Sequence, residues 1–139
     1  MMQGYNLIAV YNKAADKILM CKRIKDPYKG LSNLVGGKIE KGEDSLEAAY
    51  RELFEETSIT KDDIILRRLM DFTYPFDDCY VEVYAGRLNK DLQVKGDENP
   101  LYWSCTDRDF FNMNEYAGEG NIGHILVHIG YNKEKILSI

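Results

Sequence analysis

The sequence has little of what marks several protein classes. Its 139 residues hold 3 cysteines, 2 histidines and 3 prolines. Cys21, Cys79 and Cys105 are odd in number, widely separated and without a CxxC pair, so they read as reduced thiols and not as a disulfide framework or zinc site. His124 and His128 stand four residues apart, but Ile125 occupies the place where an HExxH zinc site needs glutamate. No stretch approaches the roughly 18 apolar residues of a membrane span, and the start MMQGYNLIAV lacks a basic region followed by a long apolar core. Excess positive charge is missing too. A formal net charge of −5 argues against general affinity for nucleic acid polymers or anionic membranes. The expectation is a cytoplasmic protein without a membrane partner. A hydrophobic content of 45% and a length suited to one core predict a single domain over residues 1–139.

What the chain does have is a concentrated acidic segment, GKIEKGEDSLEAAYRELFEETSI, from Gly37 to Ile59. The pattern predicts a helix from Asp44 to about Thr57. Glu52, Glu55 and Glu56 then stand at i, i+3 and i+4 and share one face within a turn. Leu46, Ala49, Tyr50 and Leu53 form the apolar stripe, so the acids lie beside the buried face and not opposite it. Like charges at that spacing destabilise an isolated helix by a few tenths of a kcal/mol per pair. A hard divalent cation such as Mg²⁺ or Mn²⁺ would compensate, held by one or two carboxylates with substrate phosphates completing its shell. The competing reading is a solvated acidic face.

The approach to that helix favours the cation. Gly36, Gly37 and Gly42 permit positive φ and close approach of backbone to a ligand. Asp44 is placed to cap the helix, with Glu47 three residues on in a capping-box pattern. A glycine-rich turn entering a helix often holds phosphate on backbone N–H groups. Here the helix carries acids and no P-loop lysine, so phosphate would be bridged through metal.

At these residues the chain resembles the Nudix hydrolases, whose box reads G-x5-E-x7-R-E-U-x-E-E-x-G-U with U aliphatic. Gly37, Glu43, Arg51, Glu52, Leu53, Glu55, Glu56 and Ile59 match in position and type. The one departure is Ser58 in place of glycine. A non-glycine residue in a left-handed helix C-terminus costs on the order of 1 kcal/mol but removes no metal ligand. The resemblance implies an α/β/α sandwich with a mixed central sheet. It further implies attack by water on a phosphorus of a nucleoside diphosphate linked to another moiety. By match to the box, Glu52 and Glu56 are the principal metal ligands, with Glu55 in the inner or outer shell and the Gly36 backbone carbonyl as a further ligand. Arg51 and Glu43 are expected to form an ion pair that fixes the helix against its loop. Glu52 is the leading candidate for general base. Glu98, five residues before Trp103, is a second candidate for base or metal ligand, with solvent exposure as the alternative.

Substrate signals lie outside the box. The run KRIKDPYKGLSNLVGGKIEKGE resembles the approach to the box in MutT-type members that act on oxidised purine nucleoside triphosphates such as 8-oxo-dGTP. Asn33 and Asn121 are candidate base-reading amides, each with an ordinary structural alternative as loop residue or helix N-cap. Arg23 and Lys38 are candidate phosphate contacts. Phe76, Tyr80 and Trp103 are stacking candidates or core residues. Pro75, sixteen residues beyond the box, is a marker of some ADP-ribose hydrolases. Diadenosine polyphosphates and capped or triphosphorylated RNA ends stay open, as does a nucleotide-sensing module without turnover. Homodimers are common in the wider family.

The remaining pattern predicts strands at Tyr5–Tyr11, Ile18–Arg23, Ile64–Tyr74, Tyr80–Leu88 and Leu101–Ser104. A loop is expected over Lys25–Val35 and a second helix over Asn121–Lys133, with Ile122, Ile125, Leu126 and Ile129 on one face.

Overall fold

The computed structural model describes residues 2–139. Strand β1 (Gln3–Tyr11) holds Ile8, Ala9 and Val10 at 0% exposure, so both of its faces are covered. A continuous apolar run of this kind suits a strand in the middle of a sheet. On one side β1 pairs in parallel with β5 (Cys79–Arg87), in register from Gln3–Cys79 to Tyr11–Arg87. On the other it meets β2 (Lys17–Lys22) antiparallel, and single bridges join Ile8 to Val35 and Tyr5 to Lys38. With β3 (Ser32–Asn33), β4 (Arg67–Tyr74) and β6 (Leu101–Cys105), the sheet runs β3-β2-β1-β5-β4, and β6 is paired to β2.

Alternation along the central strands sends side chains to two layers. Ala9, Met20, Val83 and Ala85 pack with Ile122, Ile125 and Ile129 of α2 (Asn121–Tyr131). Ile8, Val10, Leu19 and Tyr84 pack on the opposite face with Ala49 and Leu53 of α1 (Ser45–Thr57). The result is the α/β/α sandwich with a mixed sheet. Burial of each large aliphatic side chain contributes roughly 1.5–3 kcal/mol, so these two layers anchor α1 and its acids to the sheet. Among the described residues no helix is long and apolar enough to cross a membrane.

Several boundaries differ from expectation. The loop expected over 25–35 contains β3, because Ser32 and Asn33 pair with Lys22 and Cys21. The fourth strand starts at Arg67, and Ile64 makes only an isolated bridge to Leu88. The second helix ends at Tyr131, followed by a separate turn of helix, α3 (Lys133–Ile136). On α1 the buried residues are Ala48, Ala49, Leu53 and Thr57, whereas Leu46 is 40% exposed. The buried stripe is therefore rotated toward the acids.

Candidate functional site

The start and stop of α1 fix where its acids point. Asp44 is the N-cap, and its Oδ2 accepts the Glu47 N–H at 3.1 Å. The Glu47 carboxylate accepts instead from Lys61 Nζ at 2.5 Å, so only half of a capping box is made. At the other end Ser58 adopts φ 68°, ψ 8°, with its N–H on the Phe54 carbonyl at 2.8 Å. Ser58 thus takes the left-handed cap conformation that glycine favours. The Lys95 N–H donates to the Thr57 carbonyl at 3.1 Å, tying the 89–99 loop to this helix end.

Arg51 is the hub on the entry side. Its Nε and Nη2 grip the two oxygens of Glu43 at 2.6 and 2.9 Å, and Nη2 also donates to the Lys38 carbonyl at 3.0 Å. Its Nη1 donates to Glu52 Oε1 at 3.0 Å and to Glu55 Oε2 at 3.1 Å. Planar guanidinium geometry makes this multidentate arrangement specific to arginine. The Arg51 hydrogen bond, with a backbone N–H at Glu40, holds the Glu43 carboxyl down at about 2. Glu43 in turn raises the guanidinium further above its ordinary value.

Glu52 and Glu56 flank the buried stripe and are partly buried, whereas Glu55 faces solvent. Burial raises the Glu52 carboxyl, an effect opposed by Arg51. Glu56 is raised from 4.5 to about 7, first by burial and then by the negative charges of Glu52, Asp97 and Glu98, with Arg23 opposing. Asp97 was not singled out by sequence; its only signal was adjacency to Glu98. Glu98 itself is engaged by Lys25 Nζ at 2.6 Å, which lowers its carboxyl.

The remaining candidates fall around this group or away from it. Arg23 donates from Nε to the Pro27 carbonyl at 2.7 Å. Cys21 lies across the strand pair from Asn33, and its thiol is pushed up to about 11 by burial, with Glu56 adding to the rise. The Asn33 Oδ1 is used by the Leu34 N–H at 2.8 Å. The segment preceding α2 runs beside β3, through Ser32 N–H to Glu115 O and Ala117 N–H to Ser32 O, both at 2.9 Å. Asn121 is the first helical residue, since Gly120 at φ 88° is the cap, and its Nδ2 meets the Tyr74 hydroxyl. Tyr28 donates to both oxygens of Glu119 at 2.7 and 2.8 Å, joining the 23–31 turn to the same segment. Lys38 contributes its carbonyl to Arg51.

Phe76 is fully exposed, so core packing does not account for it, whereas Trp103 packs against the α1-side core. A Cβ on Gly4 would lie 2.5 Å from the Tyr80 hydroxyl, so Tyr80 lies across the β1 backbone. His124 sits edge-on to Phe111 at 5.3 Å, a packing role. Two shallow cavities of about 150 Å³ adjoin Trp103 and Ile129, and neither is lined by the box acids.

Among the described residues no three acidic, histidine or cysteine side chains converge on one point. Arg51 draws Glu55 aside and Lys25 draws Glu98 aside. What stands free beside the loop is the Gly36 carbonyl, which accepts no hydrogen bond among the described residues, with partly buried Glu52 and Glu56 one turn apart on α1. Two carboxylates and a carbonyl form an all-oxygen set that suits Mg²⁺ or Mn²⁺, whose shell is usually completed by water and phosphate. Burial raises both the Glu52 and the Glu56 carboxyls, and the charge of Glu52 adds to the rise at Glu56.

Comparison with known proteins agrees with this architecture. The NUDIX domain model matches residues 3–120, and the chain belongs to the Nudix family. An RNA pyrophosphohydrolase of Pelagibacter ubique (strain HTCC1062) is 48% identical over 58 residues, spanning 42% of this chain and 35% of that protein. A MutT structure from work on the Aliivibrio salmonicida and Vibrio cholerae proteins superposes with TM-score 0.72 at 23% identity, covering 94% of this chain and 99% of the other. A C. elegans Ap4A hydrolase binary complex gives TM-score 0.74 at 20% identity, covering 95% and 98%. At such identities the likeness of structure is one of fold.

Proposed function

We propose that this protein is a divalent-metal-dependent pyrophosphohydrolase of nucleoside triphosphates, releasing nucleoside monophosphate and pyrophosphate, with oxidised purine nucleotides such as 8-oxo-dGTP as preferred substrates. The observation that carries the reading is the pair of partly buried carboxylates one turn apart on α1, Glu52 and Glu56, next to a glycine loop whose Gly36 carbonyl accepts no hydrogen bond among the described residues. Glu52, Glu56 and the Gly36 carbonyl are the proposed metal ligands, with Glu55 and Glu98 able to join once released from Arg51 and Lys25. Bound there, Mg²⁺ or Mn²⁺ would neutralise phosphate charge and acidify water.

The chain's own groups supply the rest. Glu52 is the proposed acceptor of a proton from attacking water, a role supported by the burial that raises its carboxyl against the opposing effect of Arg51. Arg51 fixes the Glu52 carboxylate and, through Glu43 and the Lys38 carbonyl, locks the glycine loop to the helix. Arg23 and Lys38 are the proposed cationic contacts for phosphate. Asn33 and Asn121, on adjacent segments, are the proposed amides for the base, since a purine whose donor or acceptor is left unpaired loses about 1–3 kcal/mol.

A second reading, hydrolysis of a 5′-triphosphate on RNA, is favoured by the 48% identity to an RNA pyrophosphohydrolase over 58 residues. The deciding experiment is release of pyrophosphate and phosphate with Mg²⁺ from 8-oxo-dGTP, ordinary nucleoside triphosphates, ADP-ribose, diadenosine tetraphosphate and 5′-triphosphate RNA. Preference for 8-oxo-dGTP with pyrophosphate as product supports the first reading. Preference for RNA replaces it with the second. Binding without turnover identifies a sensing module.

A further inference from the structure

The glycine loop leans on a residue outside the box. Asn6, on β1, is 1% exposed and faces the α1 layer. Its Oδ1 accepts the Gly37 N–H at 3.0 Å, and its own N–H donates to the Gly37 carbonyl at 2.8 Å. A Cβ on Gly36, at φ +147°, would lie 2.1 Å from the Asn6 carbonyl oxygen. The loop is thus pressed onto Asn6 from both glycines. Glu52 closes the other side, since a Cβ on Gly37 would fall 2.3 Å from its Oε2.

The neighbour of Asn6 ties the same point to the helix. Glu82 is its register partner on β5, is 5% exposed, and accepts from Ser45 Oγ at 3.1 Å at the first turn of α1. Loop and helix start are therefore referenced to two adjacent polar side chains in an otherwise apolar sheet face. A packing role would not call for an amide here. Asn6 Nδ2 is buried with no hydrogen-bond partner among the described residues, which makes the position more costly than an apolar side chain would be. The amide is kept for its oxygen.

We propose that Asn6 is a positioning residue for the metal site: its side-chain oxygen clamps Gly37 so that the Gly36 carbonyl and the Glu52 carboxylate are held in place together. This rests on the metal-dependent reading above. In this role Asn6 acts through the loop, by its two hydrogen bonds to Gly37, and is not itself a proposed ligand.

The test combines two measurements on the full chain. In metal-free protein, hydrogen exchange of the Gly37 amide is followed by NMR; in parallel, Mn²⁺ is titrated by electron paramagnetic resonance. The parent should protect the Gly37 amide, and Asn6→Leu should exchange it more than tenfold faster while Ile8 and Val83 amides stay protected. Asn6→Leu should also bind Mn²⁺ at least tenfold more weakly. Val10→Ala, a core truncation on the same strand face, should lose stability without moving either readout. Asn6→Asp keeps an acceptor oxygen and should restore Gly37 protection. Should Asn6→Leu fail to fold, Asn6→Ala carries the same comparison.

An unprotected Gly37 amide in the parent overturns the proposal, whatever the variants do. Unchanged Mn²⁺ affinity in folded Asn6→Leu overturns it too. If the parent binds Mn²⁺ but hydrolyses nothing in the substrate panel, while Asn6→Leu loses Mn²⁺ affinity, the proposed activity fails and the positioning role stands.

Discussion

The Glu52 carboxylate lies directly over the α-carbon of Gly37, so close that a Cβ there would meet Oε2 at 2.3 Å and Cδ at 2.4 Å. Glycine at this place is thus a condition for where Glu52 sits. The clash falls on the far end of a flexible side chain, so Gly37→Ala should cost little stability and displace the carboxylate instead. A shift of about 1 Å at a reacting group can cost on the order of 10²-fold in rate. We expect kcat to fall by about that factor with the unfolding midpoint nearly unchanged, checked by steady-state kinetics beside thermal denaturation. An equal loss in both would mean that Gly37 serves the fold alone.

The three box glutamates should separate by burial. Glu52 and Glu56 are partly buried beside the loop, whereas Glu55 points outward with Arg51 as its partner. Removing a group that handles a proton or holds the metal costs about 10²–10⁴-fold. Glu52→Gln and Glu56→Gln should each lower kcat within that range, and Glu55→Gln should lower it by less than either. Kinetics of the three variants at saturating Mg²⁺ decide the ranking. A Glu52→Gln enzyme as fast as the parent would remove Glu52 from the role of base.

The box is legible from sequence because its chemistry is local. Arg51, Glu52, Glu55 and Glu56 share one helix, so spacing alone converts to a face, and Asp44 and Ser58 mark the ends that the structure uses as caps. The finer tilt of that helix was not legible. Leu46 looked equivalent to Ala49 and Leu53, yet the sheet accepts Ala48 and Thr57 and leaves Leu46 exposed. Contacts across the sheet were invisible for a different reason. Asn6 bonds Gly37 across 31 positions and Tyr28 bonds Glu119 across 91, and such pairings depend on strand order and register that one strand's pattern does not carry. β3, two residues long, is too short to show any period.

Glu56 makes stability and metal affinity depend on pH in opposite senses. Its folded carboxyl titrates at about 7 against 4.5 ordinarily, so between those values the folded metal-free protein holds the proton more firmly than the unfolded chain. Its contribution to stability is fully present below pH 4.5 and is lost as pH rises through about 7. Metal competes for the same oxygen, so binding near pH 6 should release a proton and tighten until the pH passes about 7. Calorimetric titration with Mn²⁺ in buffers of different ionisation enthalpy measures that proton. It should be much reduced in Glu56→Gln; a pH-independent affinity in the parent would contradict the coupling.

Ser58 tests whether the one departure from the box matters for chemistry or only for the helix end. At φ 68° its side chain sits in the left-handed region, where an L-residue other than glycine is strained by roughly 1–2 kcal/mol. Glycine would relieve that strain but enlarge the entropy of the unfolded chain by about 0.4–1 kcal/mol. The difference favours Ser58→Gly by about 0.5–1 kcal/mol, read as a higher urea midpoint at unchanged slope. The cap hydrogen bond from the Ser58 N–H to the Phe54 carbonyl needs no side chain and should survive. Glu55 and Glu56 keep their places on the last turn in that case, so kcat should stay within about twofold of the parent. A large gain in kcat on Ser58→Gly would instead mean that serine tilts the turn carrying both acids, and that the natural chain runs with a partly misaligned site.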